Sequence, residues 1–220
     1  MHQPKVLVAI NPAAPFAEGN RSSSVTTGMY TTDVSTRDDL IEATRELLWE
    51  RGYGATSPRA ILDASGAGQG SMYHHFRGKE SLARAAIERN ADEMRSQIAS
   101  DLASAPSAVG QVRAYLTRER EVLKGCQFGM LAQDADILES PALWAEVRDM
   151  LAWVRSQLAE VIQRGVDAGE LRADLDAGRT GTAIAAILQG AYVLARAAQD
   201  TSAFDDAVEG ALALLTAARA

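Results

Sequence analysis

The sequence predicts an all-α fold, with a three-helix head followed by a larger helical domain. Three observations carry this reading. After residue 35, apolar residues recur every three or four positions, the spacing of one helix face. Side chains are 47% hydrophobic but only 5% aromatic, and alanine is abundant, which favours helices over strands. Six prolines in 220 residues leave long segments without a breaker. That length suits one or two domains with a substantial core.

Residues 1–35 lie outside the pattern. The stretch 11–35 is rich in Pro, Gly, Ser and Thr and has no sustained period, so a disordered tail is expected. The run Val6 to Ile10 is shorter than the roughly 7–15 apolar residues of a signal peptide, and Asn11-Pro12 ends it.

The first helix is expected over 36–51, with Leu40, Thr44, Leu47, Leu48 and Arg51 at helical spacing. Ser35 or Thr36 can cap it, and Asp38 and Asp39 suit its positive end. Gly52 is placed to end it in a left-handed conformation. A second helix starts at Ser57-Pro58, a good N-cap followed by a proline where a missing N–H does no harm. It lasts about two turns and stops at Gly66. A third short helix is expected over 69–75. Two short helices joined by a tight glycine turn, after a longer one, form a helix-turn-helix. Later helices are expected over 79–104, 107–124, 128–138, 141–168, 176–199 and 203–218. The organisation is therefore a tail (1–35), a helix-turn-helix domain (36–82) and a helical domain (83–220).

Net charge is −7, unevenly spread. Residues 36–90 hold eight basic and eight acidic side chains, and residues 91–220 hold 12 and 19. A passive polycationic coat on nucleic acid is excluded. Cys126 is the only cysteine, so no intramolecular disulfide can form and a reducing cytoplasm is the expected location. The uncharged stretch Thr180 to Ala195 has 16 residues, short of the roughly 20 that span a bilayer, so no membrane association is expected.

The run Gly66-Ala67-Gly68-Gln69-Gly70-Ser71-Met72-Tyr73-His74-His75-Phe76-Arg77-Gly78-Lys79-Glu80-Ser81-Leu82 resembles the signature of tetracycline-repressor-type (TetR family) regulators. That signature is a glycine turn, a short helix ending Tyr-x-His-Phe, then Lys-Glu and Leu. The upstream helix 36–51, Gly52-Tyr53 and Ser57 match in order. Gly125-Cys126-Gln127-Phe128-Gly129 is similar to the lincomycin-resistance-repressor-like subgroup. The resemblance implies a homodimeric DNA-binding transcriptional regulator, a repressor released from a palindromic operator by a small-molecule ligand. The alternative is a DNA-binding dimer without a small inducer, regulated by a protein partner or by Cys126 oxidation.

Recognition helices present their first residues to base edges in the major groove. Gln69 can pair with adenine, and Ser71 with a base or a phosphate. Tyr73 and His74 can reach phosphates, as can Ser57 at a helix N-terminus. Lys79 is the clearest point charge for the DNA backbone, with Arg59 and Arg77 in support. Gly68 stands where the family has a small polar residue. With Gly70 it weakens the helix, each glycine costing about 1 kcal/mol against alanine. Phe76, and partly Tyr73, are expected in the core. His74 and His75 are neighbours that do not face each other on a helix, so no metal and no cofactor is expected. No nucleophile with a nearby base stands out, which speaks against an enzyme.

For the C-terminal domain the resemblance implies dimerisation and ligand sensing. Helices 176–199 and 203–218 are the expected homodimer contact. The expected stripes are Ile184, Ile187, Leu188, Ala191, Ala195 and Ala198, and Phe204, Ala207, Val208, Ala211, Leu214 and Leu215. Gly181, Ala185 and Gly190 would allow close approach of another helix. A pocket for a small apolar or amphipathic ligand is expected around Tyr115, Cys126, Phe128, Met130 and Leu131. Trp144, Trp153, Gln189 and Tyr192 complete that candidate set.

Overall fold

The structure, a computed structural model, describes residues 26–220, with side chains from residue 35. The head comprises α1 (Thr26–Arg51), α2 (Pro58–Ser65) and α3 (Gln69–His75). The long α4 (Lys79–Ala103) leads into α5 (Ala108–Thr117), a 3-10 turn (Val122–Lys124), α6 (Gln127–Leu131) and α7 (Ala135–Glu139). Three further helices, α8 (Pro141–Asp167), α9 (Ala177–Ala198) and α10 (Ser202–Thr216), complete the domain. Among the described residues the only β-type pairing is an isolated bridge between Leu171 and Arg219.

The first helix begins at Thr26, nine residues before the expected tail ends. Residues 1–25 of that tail lie outside the described residues. Ser35 is therefore inside the helix and caps nothing; its hydroxyl meets Asp39 at 3.5 Å. After Gly28 and until Gly52 there is no glycine or proline to stop α1, so a break at residue 35 has no local cause.

In the head, Ser57 accepts the Ala60 N–H at 3.1 Å and Pro58 opens α2. Gly66 ends α2 at φ 68, where a Cβ would be strained. Leu40, Ile41, Leu48, Ile61, Met72, Phe76 and Leu82 are all buried and fasten α1 to α2, α3 and the start of α4. Phe76 is core as expected, but Tyr73 is 54% exposed, because Met72 takes the inward position of that turn.

The expected helix over 107–124 ends at Thr117. Arg120 causes no sequence break, yet its guanidinium folds back onto the helix end. Nη1 donates to the Leu116 and Arg118 carbonyls at 2.8 Å, and Nη2 to that of Tyr115. These carbonyls at a helix C-terminus otherwise lack partners. The expected helix over 128–138 is likewise two short helices, with Asp134 capping the second.

α9 is long and apolar enough to cross a membrane by length and composition, contrary to the sequence reading. Packing accounts for one face of it, since Ile184, Leu188, Ala191 and Ala195 are buried in the C-terminal core, while Val193 and Leu194 are exposed. These four were expected at a subunit contact; they belong to the subunit's own core, as do Phe204, Val208, Ala211 and Leu215 of α10. The close approach at Gly181 is internal too: a Cβ there would lie 2.7 Å from the Ala159 nitrogen on α8. A second stripe, Ala183, Gly190, Leu194 and Ala197, points away from that core, with Ile187 half-buried against its edge. On α10, Ala203, Gly210, Leu214 and Ala217 do the same, with Ala207 half-buried against the core.

Candidate nucleic-acid interface and cavity

The head presents Ser57, Arg59, Gln69 and Tyr73 around one surface groove between α2 and α3. Gln69, Gly70, Tyr73 and His74 are exposed and Ser71 is half-buried. Arg59 is exposed and engages Asp63 at 2.9 Å, a surface pair of small energetic value that a phosphate can displace. Gly68 caps α3 without a side-chain hydrogen bond.

Lys79 is less free than its sequence suggests. Its ammonium donates to the Tyr53 carbonyl at 2.7 Å and lies 3.9 Å from the centre of the Tyr53 ring. Burial lowers its pKa, while Asp136 and Asp134 oppose that shift. Two of its three donors remain for a phosphate at the start of α4. Most other cations of the head are neutralised locally. Arg89 engages Asp38 at 2.7 Å and Glu42 at 3.0 Å, and Arg45 engages Glu42 at 2.8 Å and Glu93. The zero net charge of the head thus reflects ion pairs that bind α1 to α4, away from the α2–α3 groove. Among the described residues no group of three or more His, Cys, Asp or Glu could hold a metal ion.

The C-terminal helices and α1 border a half-open cavity of about 800 Å3, within the usual size of small-molecule sites. Tyr115, Cys126, Phe128, Gln189 and Tyr192 line it. Met130 lies instead on a smaller neighbouring pocket, shared with Cys126 and Gln189. Leu131, Trp144 and Trp153 do not line the main cavity. Leu131 is buried in the core, and the two tryptophans pack half-buried against it, because Met150, Leu151, Val154 and Arg155 are the α8 residues that face the space. Cys126 accepts from the Gly129 N–H and from Gln189, both at 3.4 Å.

Sequence reasoning missed several wall residues. Met94 and Ile98 of α4 and Arg118 and Arg120 beyond α5 all line the cavity. The last two were hidden because Thr117-Arg118-Glu119-Arg120-Glu121 reads as uninterrupted helix former.

The head and the cavity are joined at a second point besides α4. Asp134 accepts the Tyr53 N–H at 2.7 Å and the Gly54 N–H at 3.3 Å, while capping α7. Gly52, at φ 78, lets this happen: a Cβ there would lie 2.7 Å from the Asp134 carboxylate. Trp49 donates to the Gly125 carbonyl at 3.0 Å, and Lys124 lies over the Trp49 ring and pairs with Glu46. Trp49, Gly125 and Cys126 are themselves cavity residues, so this strap connects the cavity wall to the turn before α2.

Comparison with known proteins agrees with this arrangement. The HTH-type transcriptional repressor KstR2 of Mycobacterium tuberculosis is 26% identical over 144 residues, 64% of this chain and 72% of that protein. A TetR transcriptional regulator from Chloroflexus aurantiacus superposes with a TM-score of 0.77 at 27% identity, covering 86% of this chain and 98% of that one. The TetR family regulator CifR, solved as a cysteine mutant complexed with a 26-base-pair double-strand operator DNA, gives 0.71 at 26% identity, covering 81% and 95%. Residues 40–86 match the family description "Bacterial regulatory proteins, tetR family", and residues 107–211 match "Tetracyclin repressor-like, C-terminal domain". Helix-turn-helix head and helical C-terminal domain both match, and the chain belongs to the tetR family of bacterial regulatory proteins.

Proposed function

We propose that the protein is a cytoplasmic, homodimeric transcriptional repressor that leaves a palindromic operator when a small amphipathic molecule enters the cavity. The observation that carries this reading is that one helix, α4, both begins at the DNA-facing head and walls the cavity through Met94 and Ile98. A ligand that prefers one position of α4 biases the head with it. Useful coupling requires a differential affinity of about 1–3 kcal/mol between the two states.

Within this reading, Gln69 and Ser71 meet base edges, while Ser57, Arg59, Tyr73, His74 and Lys79 hold the DNA backbone. The outward stripes of α9 and α10 meet their copies in a four-helix contact with twofold symmetry. Gly190 and Gly210 support this. Each sits inside a helix, where glycine costs about 1 kcal/mol against alanine, and a Cβ at either would meet nothing within 4 Å in the subunit. A second helix pressed against them gives that cost a purpose.

Genomic footprinting followed by gel shift on the protected promoter tests the reading. Two symmetric half-sites about one DNA turn apart, roughly 34–36 Å, are expected. Protection without twofold symmetry, or no protected site, refutes it.

A further inference from the structure

The cavity wall carries one largely buried positive charge, Arg120, that has no ion-pair partner among the described residues. Arg120 lines the cavity, and among the described residues its guanidinium donates to the main-chain carbonyls of Tyr115, Leu116 and Arg118. Its Nε–H is buried with no hydrogen-bond partner among the described residues. No carboxylate lies within ion-pair distance of it among those residues. Burial lowers the Arg120 pKa, which measures how poorly the site solvates the cation. The carbonyls at the end of α5 offset part of the charge, as a helix C-terminus does.

The other charges around the cavity are balanced. Arg45 pairs with Glu42 and Glu93, Arg118 meets Asp101 at 3.3 Å, and Glu121 lies 3.9 Å from Lys124. Arg155 and Glu119, both exposed, are of opposite sign. Two phenols accompany Arg120. Tyr115 is only 4% exposed and lines the cavity. Tyr192 is buried too and lines the same cavity, where its phenol can donate to a ligand. Burial is the largest cause raising both phenol pKa values, that of Tyr192 to about 12, so both stay protonated donors at neutral pH. Toward α4 and α8 the wall offers an apolar strip, Met94, Ile98, Met150, Leu151 and Val154, flanked by the polar Asn90, Glu93, Gln97 and Arg155.

We infer that the cavity takes a small organic anion, a carboxylate or similar acid on an apolar body, with its charged group against Arg120, Tyr115 and Tyr192. The apolar body then lies between α4 and α8. This names the ligand class of the sensor proposed above and rests on that reading only for its effect on DNA. Arg120 does double duty. It closes the end of α5 when the cavity is empty, and it supplies the counter-charge when an acid is bound. A buried cation without a carboxylate is costly, and an anionic ligand relieves that cost in a way a neutral one cannot.

Three probes of equal chain length separate the possibilities: decanoate, 1-decanol and decylammonium, titrated into the full-length protein by calorimetry. Decanoate is expected to bind one per subunit, about tenfold or more tighter than decanol, the scale of one charged hydrogen bond. Decylammonium should bind weakest. Tyr192→Phe should shrink the decanoate preference several-fold, lowering decanoate affinity more than decanol affinity. Arg120→Gln should abolish the preference, and its circular dichroism spectrum reports whether α5 survives. If Arg120→Gln does not fold, the probe series on the unaltered protein and on Tyr192→Phe still decides. Equal binding of decanoate and decanol, tighter binding of decylammonium, or binding of none of the three at 1 mM (a threshold of about −4 kcal/mol) overturns the inference. A gel shift separates the two readings. Decanoate that binds selectively without altering operator affinity leaves the anion site standing and sinks the sensor. Decanol that releases operator as well as decanoate does leaves the sensor standing and sinks the anion preference.

Discussion

Replacing Asp134 by alanine removes one carboxylate that serves both parts of the molecule. In the C-terminal domain it caps α7, accepting from the Asp136 and Ile137 N–H groups at 3.0 and 3.4 Å. Toward the head it accepts the Tyr53 N–H at 2.7 Å and the Gly54 N–H at 3.3 Å. Loss of an N-cap costs about 0.5–2 kcal/mol, and loss of a hydrogen bond to a charged acceptor about 1.5–3 kcal/mol. The longer, exposed bond from Gly54 adds little. Asp134→Ala should therefore lower stability by about 2–4 kcal/mol, read as a shift of the urea midpoint at fixed protomer concentration. Asp134→Asn should recover about half of this, because asparagine caps as well as aspartate but lacks its charge. The strap reasoning also predicts looser coupling, so operator affinity should fall for Asp134→Ala under conditions where it remains folded. A stability loss below about 0.5 kcal/mol, the usual size for a neutral surface change, would refute the assignment of Asp134 as a link between head and cavity.

Three other outcomes are expected. Lys79→Ala should weaken binding to all DNA sequences and reduce the salt slope by about one unit, whereas Gln69→Ala should lose about 1–3 kcal/mol of discrimination at one base pair; gel shifts over a salt series with matched and mismatched operators distinguish them. Leu214→Glu places a charge on the most exposed large apolar side chain of α10, 68% accessible, and should yield a monomer of unchanged helicity by light scattering; a dimer that persists would place the subunit contact elsewhere. Acid should loosen the α1–α4 junction: the Arg89 hydrogen bond and charge hold Asp38 below its usual range, and Arg45 and Arg89 together outweigh burial in lowering Glu42. Depressed carboxylates stabilise above their unfolded values, near 4, and lose that contribution as pH falls through the folded ones, so Arg89→Met should flatten the acid limb of the stability curve between about pH 5 and 2.

Local signals located α2, α3 and the turn between them, though not the start of α1. Ser57-Pro58, Gly66 and the Met72–Phe76 spacing are short-range facts of capping, turn and periodicity, and each reappears at the same residue in the structure. Periodicity also located α4, α8, α9 and α10, because an amphipathic helix declares its length in sequence. What it does not declare is which apolar face turns inward. α9 carries two stripes of similar character, and only packing against its neighbours assigns Ile184, Leu188, Ala191 and Ala195 to the core and leaves Ala183, Gly190, Leu194 and Ala197 outward. The cavity was legible only in part, for Tyr115, Cys126, Phe128, Gln189 and Tyr192. Trp144 and Trp153 looked like pocket residues for their size, yet helix rotation puts Met150 and Val154 on the open side. Arg120 was invisible because its role depends on a helix end that it makes itself, by folding back on the carbonyls of residues 115, 116 and 118. Composition and spacing thus set most of the elements. Tertiary packing alone decided which faces meet, where space remains, and where a charge is left in that space without a partner.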